Sequence, residues 1–160
     1  MSKAKNISPA QMIDSFLRRV GLGVAIVGVM YGVSALEAVL PPAEADYADT
    51  AQLVLSILVV LLMFPAFVKF MLARKRGVCK SAEDNSYMAQ MFKQAAHHAF
   101  SATFITLIIL EVVAKALKPG LPVHFFIDIA LFISLSFFAA MFFKLTGADD
   151  GDDDWEDDAA

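Results

Sequence analysis

Apolar residues fill four long blocks, at about 20–40, 51–73, 98–118 and 121–145, and polar residues gather in the breaks between them. A helix needs about 20 residues to cross the hydrocarbon core of a bilayer, and each block meets that length. The pattern predicts an all-α polytopic membrane protein, with four transmembrane helices in a bundle over residues 1–147. A polar tail over 148–160 follows and is expected to be disordered. Too little chain remains for a separate soluble domain.

The breaks carry helix signals of their own. Ser8-Pro9-Ala10-Gln11 reads as a helix start, with Ser8 as cap and Pro9 in the first turn. Met12, Ile13, Phe16, Leu17 and Val20 then recur at helical spacing. They predict an N-terminal amphipathic helix lying on the membrane surface ahead of the first span. Gly28 and Gly32 form a G-x-x-x-G pair, which lets two helix backbones approach closely, within one monomer or across a dimer. Pro41-Pro42 ends the first span, and Asp49 or Thr50 can cap the second. Pro65 removes the amide that would bond the Leu61 carbonyl, so a kink is expected there. Lys69, one turn on, can snorkel to the interface. Gly77 breaks the helix, and Ser81-Ala82-Glu83-Asp84 reads as a new start. One helix over 82–118 would be about 55 Å long and would project from the membrane as a cytoplasmic extension of the third span. The short break over 118–122 makes the third and fourth spans antiparallel neighbours.

Composition strengthens this picture. Of 160 residues, 58% are hydrophobic, against about 45–50% apolar in soluble domains. The net charge of -4 is a tail effect. Eight acids lie after residue 148, so the remainder carries -4 + 8 = +4. Lys3, Lys5, Arg18 and Arg19 precede the first span, and Arg74, Lys75, Arg76, Lys80 and Lys93 lie in the second connection. The first connection has no basic residue. The positive-inside rule then places both termini and the second connection in the cytoplasm, in a multi-pass protein of the cell inner membrane. Lys115 and Lys118 oppose this but are fewer. Ala43-Glu44-Ala45 resembles a signal cleavage site, yet the preceding apolar run is longer than a signal h-region, so an uncleaved first span is preferred.

Ionisable residues within spans are the candidates for chemistry, because they are costly there. Glu37, Glu111, Lys115, His124 and Asp128 all lie toward the outer side on this topology. Glu111 with Lys115, and His124 with Asp128, are four apart and can satisfy each other as intrahelical pairs. Alternatively, Glu37, Glu111 and Asp128 line an outward-facing polar pocket for a cation or for protons. A Glu-Asp-His metal site has no recognised spacing, and no metal or cofactor is expected. Adjacent His97 and His98 point to different helix faces and lack a histidine at matching depth elsewhere, which argues against a haem. His97, Ser101, Phe104, Ile108, Glu111 and Lys115 form one stripe at helical spacing, with no titratable group in its middle. Cys79 is single, which excludes an internal disulfide.

The acidic tail carries Trp155, a candidate anchor for docking on a basic surface or on the protein's own basic connection. Its charge sign excludes nucleic acid. No nucleophile elbow, P-loop, dinucleotide or zincin motif occurs, so no enzyme activity is expected. The leading expectation is an accessory or regulatory membrane subunit that associates with itself or with a larger membrane protein. The alternative is a small transporter or ion-conducting protein using the outer pocket.

Overall fold

The computed structural model describes residues 9–75, 86–117 and 120–147. They form four helices: α1 (Pro9–Glu37), α2 (Pro42–Lys75), α3 (Tyr87–Leu117) and α4 (Val123–Gly147). All four are long and apolar enough to cross a membrane. The tail, with Trp155, lies outside the described residues, as do Cys79, Ser81 and most of the second connection.

Consecutive helices run antiparallel. Phe16 stacks on Phe70 at 4.3 Å near one end of the α1–α2 pair, and Gln52 bonds Glu37 at the other. Along α1–α4, Gly21 faces Phe142, Gly28 faces Leu135 and Ser136, and Gly32 faces Phe132. Residues 9, 75, 86 and 147 therefore share one end of the bundle. It carries Arg18, Arg19, Lys69, Lys93 and Lys144, and is called the basic end below. The opposite, acidic end holds Glu37, Glu111 and Asp128.

The helices do not contribute equally. Among the described residues α4 packs between α1 and α3, and α1 also meets α3 near the basic end, while α2 packs against α1 alone. The core is Ala95, Ala99, Phe138 and Phe142, with Leu17, Val24 and Phe92 against it. It is drawn from α1, α3 and α4. Phe92 meets Phe138 and Phe142 edge-on, at 4.9 and 5.8 Å. Such pairs add about 0.5–1.5 kcal/mol beyond area burial.

The Gly28–Gly32 face packs within the monomer, against α4. A Cβ on Gly28 would lie 3.3 Å from the Ser136 backbone nitrogen, and one on Gly32 would lie 2.9 Å from the Phe132 ring. Small residues matter here because lipid tails are as apolar as the side chains, so close packing must hold the helices together.

Two helix starts, those of α2 and α3, differ from the sequence reading. α1 begins at Pro9, as the sequence places it, and among the described residues it runs unbroken from its amphipathic first turns to Glu37. The apolar face of its first turns is taken up by packing: Ile13 is buried, Phe16 stacks on α2 and Leu17 joins the core. α2 begins at Pro42 rather than near residue 50. Proline suits the first turn because its fixed φ is helical and its missing N–H has no partner to lose there. Thr50 instead bonds back to the Asp46 carbonyl, inside the helix. α3 begins at Tyr87 rather than residue 82, because Ser86 is its non-helical cap and receives the Ala89 amide at 3.1 Å. α2 stays helical through Pro65.

Candidate functional site

Polar contacts between helices concentrate in two layers. At the basic end the Ser86 hydroxyl donates to the Asp14 carboxylate at 2.7 Å while capping α3. Ser86 is 1% exposed. One hydroxyl thus satisfies a carboxylate on α1 and a free amide on α3. Beside it, the Tyr87 hydroxyl donates to the Leu145 carbonyl in the last turn of α4 at 3.0 Å. Those four residues lock α1, α3 and α4 together.

At the acidic end the Ser34 hydroxyl donates to Asp128 at 2.8 Å, joining α1 to α4. Asp128 is 9% exposed, so this carboxylate sits inside the helix interface. Gln52 of α2 donates to Glu37 at 3.0 Å. From Asp14 to Ser34 is 20 residues of continuous helix, about 30 Å at 1.5 Å per residue. That equals the usual hydrocarbon thickness of a bilayer. Between the layers, Thr103 and Ser134 share a hydrogen bond of 2.6 Å across α3 and α4. Thr103 and Thr106 also bond back to their own helix, at Ala99 and Ala102.

The five outer residues do not form one pocket. Glu111 and Lys115 pair at 2.7 Å, with side chains 68% and 76% exposed, on a face of α3 turned away from the other helices. Asp128 turns the other way, toward Ser34 on α1. His124 is exposed and makes no ion pair with Asp128. Glu37 binds α2 instead. Among the described residues no three His, Cys, Asp or Glu side chains come together as a metal site.

The stripe on α3 is real but outward-facing. His97, Ser101, Phe104, Ile108, Glu111 and Lys115 are all exposed. Nothing in the fold described covers it. The Ser101 hydroxyl turns back to the His97 carbonyl.

Sequence reasoning missed Asp14, Ser34, Gln52 and Ser86 as interhelical partners. Asp14 carried a signal: it is the sole acid before Glu37, in a basic stretch. Ser86 also precedes an apolar helical run, the usual place for a cap. Ser34 and Gln52 have no such mark.

Comparison with protein-family models, curated proteins and solved structures gives no match for this chain. Its chemistry must be read from its own residues.

Proposed function

We propose that the chain is a non-catalytic subunit of the cell inner membrane that works by associating with a copy of itself or with a larger membrane protein. The observation that carries this reading is the outward stripe of α3. Glu111 lies six residues before the end of α3, about 9 Å in, and is costly against lipid even with Lys115 beside it in the last turn. A partner helix with polar side chains at that depth would remove the cost. Away from the helix ends, the other exposed positions of α2 (53–68) and α3 (100–112) are apolar, as lipid contact requires.

The orientation that goes with this reading places the basic end in the cytoplasm, where lysine and arginine accumulate. The acidic segment around Trp155 follows α4 at that end and would dock on a basic surface of the partner. A transport reading would need Glu37, Glu111 and Asp128 to line one opening, and no observation favours that over association.

Native mass spectrometry of the protein released directly from its own membrane tests the proposal. The expected result is a species heavier than one chain, which Glu111→Leu/Lys115→Leu shifts toward the monomer without altering the monomer's helicity. A wild-type monomer with no partner would overturn it.

A further inference from the structure

The exposed face of α1 forms the floor of a groove between α2 and α4, and its basic end is built from cations. One cavity there, of about 210 Å³, is lined by Ser15, Arg19, Ala66, Lys69 and Phe70 among others. A second, of about 440 Å³, is lined by Ser15, Arg18, Arg19, Leu22 and Phe143. Ser15 and Arg19 line both, so the two cavities adjoin over α1.

Three features distinguish this place from ordinary snorkelling. Arg19 and Lys69 come from different helices into the same cavity. Among the described residues neither has an acidic partner, since the one ion pair is Glu111–Lys115 at the far end. The nearest acid along α1, Asp14, is held by Ser86 of α3 instead. The Ser15 hydroxyl is turned to the Met12 carbonyl, so the charge falls to the two cations. The groove also changes character along its length. Beyond Arg18 and Arg19 its floor is Leu22 and then Val29, both exposed. Farther along α1 lies a separate, apolar cavity lined by Val29, Gly32, Leu36 and Phe132 among others.

A cationic head above an apolar trough matches one kind of molecule in a membrane. We propose that this groove binds an anionic phospholipid, with its phosphate between Arg19 and Lys69, Arg18 beside it, and an acyl chain along Leu22 toward Val29. The distance suits it: Arg18 to Val29 is 11 residues, about 16 Å of helix, close to half the hydrocarbon thickness. Basic pockets between transmembrane helices are a recurrent mode of anionic headgroup recognition. Arg supplies a fork for phosphate oxygens and Lys a compact charge beside it.

The test uses the full-length protein in nanodiscs and small micelles, with native mass spectrometry counting bound lipid. Phosphatidylglycerol should bind at least tenfold more tightly than phosphatidylcholine. Arg19→Gln/Lys69→Gln should remove that preference. Lys69→Gln alone should weaken it several-fold. Lys144→Gln, which removes one charge at the same end but outside both cavities, should leave it within twofold. Lys69 is exposed, so its single variant keeps the test valid if the double variant fails to fold. Equal losses for Lys69→Gln and Lys144→Gln would show diffuse charge attraction and overturn the site. Displacement of the lipid by millimolar inorganic phosphate would assign the cations to a free anion and overturn the lipid assignment. A second copy of the chain in place of the lipid would overturn it too.

Discussion

In α4, 28% of the most apolar stretch is buried inside the bundle; in α2, 6% is. Both helices are long and apolar enough to span a bilayer, and α2 is the more hydropathic of the two. What separates them is the surface their neighbour offers. α4 lies on the small-residue face of α1, where Gly21, Gly28 and Gly32 admit its side chains, and α3 closes over its other side. α2 meets α1 through Gly23, the Phe16–Phe70 stack and the Gln52–Glu37 bond, and among the described residues it packs on no second helix. Apolarity places a helix in the membrane. Small residues and a few hydrogen bonds decide whether it belongs to the core once there.

The largest contrast should come from two phenylalanines. Phe142 is fully buried and touches α1 and α3, while Phe64 on α2 is 67% exposed. In soluble cores Phe→Ala costs about 3–5 kcal/mol. Lipid replaces water as the outside phase here and removes part of the transfer term. Phe142→Ala is therefore expected to cost roughly 2–3 kcal/mol in reversible detergent unfolding. Phe64→Ala should stay within about 0.5 kcal/mol. Equal losses at both sites would break the distinction between the helices.

Next in size is Ser86→Ala. It removes the cap of α3 and leaves the Asp14 carboxylate without its donor, so stability should fall by about 1–2 kcal/mol. Pairing it with Asp14→Ala should recover part of that loss, since no carboxylate is then stranded. Fully additive losses in the double variant would show that the two residues act separately.

The smallest effect belongs to the acidic end. A double-mutant cycle on Ser34→Ala and Asp128→Ala should report a coupling of about 0.6 kcal/mol, with about 1.7 as the ceiling seen for such bonds in membranes. A coupling of zero would mean that Asp128 is satisfied by something other than Ser34.

How much of this was legible in the sequence depends on the kind of signal. The four helices were plain, because span length is a crude measure that 20 apolar residues satisfy. Gly28 and Gly32 suggest a packing face, because absence of a side chain has a direction, and in the fold that side of α1 meets α4. α4 carried no such direction. It is apolar all round, so its hydrophobic pattern has no phase from which to tell which residues meet α1. The sequence therefore leaves Glu111 and Asp128, at similar depth on neighbouring helices, as candidates for one pocket. Their rotations differ: one faces out beside Lys115 and the other faces Ser34. The early start of α2 and the late start of α3 turn on local signals, Pro42 in a first turn and Ser86 as the cap of α3, that stand out little from their neighbours in the sequence.

Among the described residues α1, α3 and α4 form the folded unit and α2 hangs on α1 alone. Double electron–electron resonance in nanodiscs, on a Cys79→Ser background, tests it most directly. Spin labels go at exposed sites: Phe104 of α3 paired with Ile127 of α4, and Val60 of α2 paired with the same Ile127. A narrow distance distribution is expected for α3–α4 and a clearly broader one for α2–α4. An α2–α4 distribution as narrow as that of α3–α4 would contradict it.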